Sequence, residues 1–336
     1  MVRILSAVVS SFALGASALS LHTRAELPSE VGKIWAGWGS IKNAFIFGDS
    51  YTQTGFEYTQ TQPSATNPFG NPTYPGWTSS NGPNWVGYLT FKYNASSLLT
   101  YNLAYGGATV DASLVTPYTP TVKSLKDQVE SEFIPGYTGS SSKAKWTGSD
   151  SIFAIWIGIN DIGNSYWNGA DATDVLNAKI FAVISSLVDK IYAAGGRNYV
   201  FINVPPLDRT PLIIPQGATA VSLSKADVAA WNLKVVDLAK VLKAKNGTNV
   251  WVYDSNKSFG EVIDDPKSHP ESAGLKNTTG YCQAYQNGTP AQDTLIASCG
   301  VPVNQYFWLN NLHPTSAIHE VVAKGVADLL SAGPNI

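Results

Sequence analysis

Charged residues, cysteine and histidine are all scarce in this 336-residue chain. Asp, Glu, Lys and Arg make up 14% of it, against an ordinary value of about 25%, and the net charge is −2. The sequence has no basic stripe, so it lacks the charge pattern of a nucleic-acid-binding protein. Its 4 histidines include no pair at metal-ligand spacing, and we expect neither a metal nor another cofactor. Past the N-terminus no apolar run reaches the roughly 18 residues that span a bilayer, which argues against a membrane protein.

The N-terminus has the three parts of a secretory signal peptide. Arg3 supplies the positive charge, an apolar segment follows, and small residues precede the cleavage point. We therefore predict a signal peptide over residues 1–18, an N-terminal extension over 19–40 and a single domain over 41–336. The mature protein is expected to be secreted, extracellular and monomeric.

The cysteine content agrees with export. The chain has two cysteines, Cys282 and Cys299, and an even number in an exported chain favours one disulfide over metal binding. Potential N-glycosylation sites, which matter only if the host glycosylates, lie at Asn94, Asn246, Asn256, Asn277 and Asn287.

Short apolar segments alternate with helical patterns along the chain. Five runs rich in β-branched and aromatic residues predict strands over 44–47, 99–104, 152–157, 199–204 and 250–253. This alternation indicates one α/β domain with a parallel sheet that is covered on both faces.

The later helices and two long loops are also predicted from the pattern. One helix is expected from Ala178 to the glycines at 195–196, and a last one from about 314 to 330. Another is expected to begin at Ser224, because Asp227 three residues later suggests a capping box. The segments 51–83 and 257–304 are predicted to be loops that cover and shape a pocket.

Polar motifs follow the first three predicted strands, and another precedes the last helix. Ser50 follows the first strand, Gly107 the second and Asn160 the third, while His313 leads into the helix. Because parallel strands end at one edge of a sheet, we expect these residues to converge there. Hydrolysis by a serine needs a base, here His313, and donors for the oxyanion. The N–H groups of Ser50 and Gly107 and the Asn160 amide are the predicted donors.

The motifs resemble the ordered blocks of the SGNH (GDSL-type) esterases. The matching blocks are Gly48-Asp49-Ser50, Gly107, Gly158-x-Asn160-Asp161 and His313. Three longer stretches resemble the secreted acetylesterases of carbohydrate esterase family sixteen: Phe47-Gly48-Asp49-Ser50-Tyr51, Asn203-Val204-Pro205-Pro206 and Asn311-Leu312-His313-Pro314-Thr315. The resemblance runs from about residue 41 to the end. It implies a flavodoxin-like, three-layer α/β/α fold with a parallel sheet of about five strands, and removal of short acyl groups, mainly acetyl, from sugars.

One position departs from the family pattern. The last block of the family usually has Asp three residues before the histidine, whereas this chain has Asn310. An amide can orient an imidazole through its oxygen but supplies no charge to stabilise the imidazolium. We predict a Ser50–His313 dyad with either Asn310 or a nearby backbone carbonyl as a neutral orienting group.

The predicted function is that of a serine esterase acting on acetylated sugars or oligosaccharides through an acyl-enzyme on Ser50. A lipase or general carboxylesterase that prefers longer acyl chains is one alternative, and a non-catalytic sugar-binding relative is another. Asp49 and Asp161 are expected to hold the turns that carry Ser50 and Asn160. Aromatic residues expected in loops near the site, and therefore candidates for sugar stacking, are Trp77, Tyr166 and Trp167.

Overall fold

The computed structural model describes residues 35–336. The predicted signal peptide and residues 19–34 of the predicted extension lie outside the described residues. Of the helices that the structure describes, none has the length and apolar character of a membrane span.

A five-stranded parallel sheet forms the centre of the fold, in the order β2-β1-β3-β4-β5. The strands are β1 (Asn43–Gly48), β2 (Leu99–Asn102), β3 (Ser151–Trp156), β4 (Asn198–Ile202) and β5 (Asn249–Tyr253). Every residue of β1, β3 and β4 is buried, as expected when helices cover both faces. The strand order is the flavodoxin-like one, in which ligands bind at the carboxyl ends of β1 and β3, where the winding direction reverses. The predicted fold class is confirmed.

Each predicted strand corresponds to an observed strand, with ends that differ by no more than two residues. The strand β2 ends at Asn102, whose side-chain amide donates to the backbone oxygen of Thr52 at 2.7 Å. Beyond Asn102 the backbone stays beside β1, where the N–H groups of Leu103 and Tyr105 donate to the oxygens of Ile46 at 2.8 Å and of Gly48 at 3.1 Å. The chain then turns through residues 105–108, which contain Gly107.

Helices pack on the sheet from both sides, and α1 contacts α8 while α5 contacts α6. The α-helices are α1 (Trp85–Phe91), α2 (Leu125–Asp127), α3 (Ile134–Tyr137), α4 (Ile159–Gly163), α5 (Ala170–Ala193), α6 (Ala218–Lys243), α7 (Ser255–Asp264) and α8 (Ser316–Ala332). A π-helical turn, Gln128–Phe133, joins α2 to α3. Such turns are frequent at functional sites, and this one begins with a residue that contacts the end of β1.

The predicted start of α6 at Ser224 is wrong. The helix begins at Ala218, directly after Gly217, whose φ of +93° is accessible to glycine without strain. Ser224 and Asp227 therefore lie inside the helix and form no capping box. Asp227 is buried and accepts a hydrogen bond from Nδ2 of Asn177 at 2.7 Å, so it joins α6 to α5. The helix α5 also begins earlier than the apolar pattern predicts.

Of the two long segments predicted as loops, 51–83 contains no helix or strand, whereas 257–304 is only partly irregular. The first residues of the segment 257–304 belong to α7, and Phe259 and Val262 of this helix pack into the core. The predicted disulfide between Cys282 and Cys299 is present. It lies in a small apolar cluster separate from the main core, made of Tyr285, Cys299, Val303, Tyr306 and Leu309. This cluster gives the C-terminal loop a core of its own beside the sheet edge.

Candidate active site

Ser50 lies just beyond the end of β1 at the carboxyl edge of the sheet, and it is 9% exposed. The turn before it depends on Gly48. A Cβ on Gly48 would lie 2.4 Å from the carbonyl oxygen of Trp156 in β3, which is closer than real side chains come. Glycine therefore lets β1 run against β3 up to the point where the chain turns to present the serine.

On the side away from β3, the side chain of Gln128 holds the backbone of Gly48 together with the segment that follows β2. Its N–H donates to Oε1 of Gln128 at 2.9 Å, and its carbonyl accepts from Nε2 of Gln128 at 2.8 Å. Gln128 is fully buried at the start of the π-helical turn. Its amide thus accepts the hydrogen bond of the Gly48 N–H and shares the Gly48 carbonyl with the N–H of Tyr105, which donates to it at 3.1 Å. The sequence analysis missed Gln128, since no local pattern links residues 80 positions apart.

His313 is within hydrogen-bond distance of Ser50. The distance from Nε2 of His313 to Oγ of Ser50 is 2.8 Å. The ring of Tyr51 meets the imidazole edge to face, with centroids 5.6 Å apart. The hydroxyl of Tyr51 donates to the backbone oxygen of Leu312 at 2.6 Å. The residue after the serine therefore ties the segment that carries the histidine to the segment that carries the nucleophile.

Asn310 determines which nitrogen of His313 carries the proton. Its Oδ1 accepts from the backbone N–H groups of Leu312 at 3.0 Å and of His313 at 2.8 Å, so the amide cannot be flipped. The same oxygen lies 3.1 Å from Nδ1 of His313. An oxygen cannot donate, so Nδ1 must carry the hydrogen. Nε2 is then unprotonated and free to accept the proton of Ser50.

Burial lowers the pKa of His313 from 6.5 to about 4. The imidazole is taken out of water without an anionic partner, and desolvation disfavours its charged form. An Asp at position 310 would oppose this shift. The histidine of this site is therefore neutral, and able to act as a base, from mildly acidic pH upwards.

Besides the N–H of Ser50 itself, the predicted oxyanion donors come from the segments after β2 and β3. A Cβ placed on Gly106 would lie 3.9 Å from Cβ of Ser50, so the 105–108 turn lies beside the serine. Gly107 has a φ of +81°, and a Cβ there would collide with the ring of Tyr118 at 2.2 Å. Nδ2 of Asn160 donates to the oxygen of Ala108 at 2.9 Å, which uses one of its two hydrogens. The structure brings these segments together around Ser50.

Two buried carboxyl groups hold the turns around the site. Oδ1 of Asp49 accepts from the N–H of Tyr51 at 3.0 Å, and Oδ1 of Asp161 accepts from the N–H of Val110 at 3.0 Å. Burial raises the pKa of each carboxyl to about 7. Asp161 thus joins the turn of Asn160 to the segment that follows Gly107, as a positioning group.

Neither of the other two described histidines is hydrogen-bonded to Ser50 or His313. His319 is buried in α8, and Nε2 of His269 pairs with Oε2 of Glu261 at 3.2 Å. The fourth histidine lies outside the described residues. Tyr166 is buried, whereas Trp77 is 74% exposed and Trp167 is 57% exposed. Within residues 35–336 no group of three or more His, Cys, Asp or Glu is placed to hold a metal ion.

A parallel sheet that carries a serine hydrogen-bonded to a histidine at its carboxyl edge has the layout of an α/β serine hydrolase. The chain belongs to the family described as GDSL-like lipase/acylhydrolase, whose model matches residues 45–326. The predicted membership of the GDSL-type hydrolases and the prediction of a carboxylic ester hydrolase are thereby confirmed.

Several characterised proteins are similar to this chain over most of its length. A protein named acetylesterase from Thermothelomyces thermophilus is 37% identical over 294 residues, covering 86% of this chain and 88% of its own. A second acetylesterase, from Hypocrea jecorina, is 25% identical and covers 87% of this chain and 89% of its own. Among solved structures, an acetylxylan esterase from Geobacillus stearothermophilus aligns with a TM-score of 0.49 at 15% identity, over 88% of this chain and 96% of its own.

Proposed function

We propose that this protein is a secreted serine esterase that removes acetyl groups from acetylated sugars or oligosaccharides. The observation that carries the proposal is the 2.8 Å hydrogen bond between Ser50 and His313, with the tautomer of the histidine fixed by Asn310. The two relatives named acetylesterase support the choice of acyl group. The disulfide supports secretion, because such bonds persist in oxidising compartments.

The proposed reaction begins with acylation of Ser50. Its Oγ forms a bond to the acetyl carbonyl carbon while the hydroxyl proton passes to Nε2 of His313. The carbonyl oxygen becomes an oxyanion, which the N–H groups of Ser50 and Gly107 and the side-chain amide of Asn160 would stabilise. The intermediate collapses by breaking the bond between the carbonyl carbon and the sugar oxygen. His313 returns the proton to that oxygen, and the sugar leaves with a free hydroxyl.

Deacylation repeats the same steps with water. The water molecule gives a proton to Nε2 of His313 and its oxygen bonds to the acetyl carbon. The new tetrahedral intermediate breaks the bond to Oγ, which regains its proton from His313, and acetic acid departs and ionises in water. The two steps in which His313 accepts a proton use the neutral imidazole that burial provides and the Nδ1–H tautomer that Asn310 imposes.

The size of the acyl group is tested with 4-nitrophenyl acetate, butyrate and octanoate. We expect kcat/KM to fall steeply beyond acetate, and all activity to be lost in Ser50→Ala. If the octanoate ester is hydrolysed as fast as the acetate ester, the protein is instead a lipase. This second candidate is supported by the family description and by the relatives from Arabidopsis thaliana named GDSL esterase/lipase. No turnover of any ester would favour a binding protein.

A further inference from the structure

A groove of about 600 Å³ opens beside His313, between two loop segments far apart in the sequence. Residues 75–82 form one wall, residues 286–292 form the other, and Leu309, Asn310 and His313 close the inner end. Its volume is in the range of small-molecule sites. The groove therefore begins at the residue that would protonate a departing group.

The lining of the groove is polar and uncharged. Among the described residues that line it, none is Asp, Glu, Lys or Arg. Amide side chains come from both walls, from Asn81 on one side and from Gln286 and Gln292 on the other. Such a surface offers hydrogen-bond donors and acceptors without fixed charge, which suits a neutral ligand with many hydroxyl groups.

Trp77 adds an aromatic face to this surface. Its side chain is 74% exposed although its backbone N–H is anchored to the oxygen of Thr54 at 2.8 Å. The ring lies over Gly55, where a Cβ would come within 2.9 Å of Cε3. An indole held in place while most of its surface is exposed is suited to stack on the apolar face of a sugar ring.

Asn81 joins the two walls with a reciprocal pair of hydrogen bonds. Its Nδ2 donates to Oγ1 of Thr289 at 2.8 Å, and its Oδ1 accepts from the N–H of Thr289 at 2.7 Å. The hydroxyl of Thr289 in turn donates to the oxygen of Ala291 at 2.7 Å. Asn81 has a φ of +58°, a left-handed conformation that is uncommon for residues other than glycine. Asparagine is among the few residues other than glycine that adopt this conformation, and it does so at the point where the walls connect.

We propose that the groove binds the uncharged sugar that carries the acetyl group, and that the Asn81–Thr289 pair holds the walls at the spacing this sugar requires. This inference rests on the proposed function, because it assigns the groove to the leaving group of that reaction. Asn81 is a positioning residue here, since it acts through the wall and not on the reacting atoms. A small leaving group such as nitrophenol spans less of the groove and depends less on the spacing.

The experiment compares KM for partially acetylated xylotriose with KM for 4-nitrophenyl acetate in wild type, Asn81→Gly and Thr289→Val. Glycine removes the side-chain bonds while tolerating the positive φ, so the variant is expected to fold. It also keeps the Asn287-Gly288-Thr289 glycosylation sequon, so loss of a glycan cannot explain its effect. Thr138→Val is the matched control, because it removes a hydroxyl bonded to the oxygen of Ile134 away from the groove.

We expect the ratio of the two KM values to rise about tenfold in Asn81→Gly, as for loss of two hydrogen bonds. A smaller rise is expected in Thr289→Val and none in Thr138→Val. If wild type hydrolyses the acetylated sugar and the ratio of KM values stays constant in Asn81→Gly, the proposed role of the Asn81–Thr289 pair is overturned while the proposed function stands. A parallel rise in both KM values would also overturn it. If wild type cleaves 4-nitrophenyl acetate but neither cleaves nor binds the sugar, the groove assignment and the carbohydrate substrate both fail.

Discussion

The carboxyl edge of the sheet and the groove between the loops meet at His313, yet they are built differently. At the sheet edge, Ser50 is 9% exposed and the strand end before it is fixed by the buried amide of Gln128. In the groove, Trp77 is 74% exposed and the walls are joined by the half-buried Asn81. The edge is a rigid part of the core, whereas the groove is made of surface loops that depend on a few cross-links.

This difference suggests a division of roles between the two regions. Residues at the sheet edge should affect kcat for every ester, because they act on the acyl group that all substrates share. Residues of the groove should affect KM for sugar esters and have less effect on small activated esters. Substitutions at the sheet edge test the first half of that division.

Ser50→Ala is expected to have the largest effect. Without the hydroxyl no acyl-enzyme can form, so kcat should fall by at least about 10⁴-fold for acetate esters of nitrophenol and of sugars alike. Steady-state rates measure the loss, and circular dichroism checks that the fold is intact. Retention of most activity in a folded variant would remove Ser50 from the mechanism.

Asn160→Ala is expected to lower kcat by about 10² to 10³, the usual effect of losing one oxyanion donor. KM should change little, because the oxyanion exists only in the transition state and the intermediates. The comparison uses 4-nitrophenyl acetate at saturating concentration. A rise in KM at constant kcat would place Asn160 in substrate binding instead.

Substitutions of Asn310 separate orientation from charge. Asn310→Ala should lower kcat at least tenfold, because nothing would then hold Nδ1 of His313 as the protonated nitrogen. Asn310→Asp should keep the tautomer and add an anion, which raises the pKa of His313 above its present value of about 4. Because the base must be neutral, the acidic limb of the kcat/KM profile should move to higher pH.

The size of the gain in Asn310→Asp is equally informative. We expect an increase in kcat at pH 7 far below about 10⁴-fold, since the native amide already fixes the tautomer. The wild-type profile should have its acidic inflection well below pH 6.5. An inflection near 6.5 in wild type, or an unshifted profile in the aspartate variant, would contradict this interpretation of the site.

Gln128→Ala tests whether the strand end is held for catalysis or only for stability. We expect kcat to fall about tenfold with KM unchanged, because Gly48 loses the two hydrogen bonds that Gln128 makes to its backbone. Gln128→Glu is the sharper variant. A protonated glutamic acid can still donate to the oxygen of Gly48, so activity should recover as the pH falls and that carboxyl becomes neutral. Equal pH profiles in the two variants would indicate a purely structural role.

Asp161→Asn is expected to change the pH dependence of stability more than the activity. Burial raises the pKa of Asp161 from 3.8 to about 7, so its protonated form stabilises the fold at low pH and this stabilisation is lost as the pH rises through 7. Asparagine does not titrate. Between pH 5 and 8.5 the wild type should therefore lose more free energy of unfolding than the variant, on the order of 2 kcal/mol. If urea unfolding gives the same change in free energy of unfolding over this pH range in both proteins, the raised pKa of Asp161 is contradicted.

The sequence predicts the sheet edge better than the groove, for a physical reason. Ser50, Gly107 and Asn160 each follow a short buried strand, and the parallel arrangement brings strand ends together whatever the loops do. Gln128 and Asn81 gain their roles from contacts with residues 80 and 208 positions away, which leave no local pattern. The sequence leaves open whether Asn310 or a backbone carbonyl orients His313. The answer depends on the orientation of the Asn310 amide, which the backbone N–H groups of Leu312 and His313 fix.

The most direct test of the central claim is covalent labelling of Ser50 by an alkyl phosphonate, followed by mass spectrometry of the peptides. The site predicts rapid labelling of Ser50 in wild type, because His313 removes its proton, and labelling slowed by orders of magnitude in His313→Ala. Label on another residue, no label at all, or equal rates in the two proteins would contradict an activated serine at the edge of the sheet.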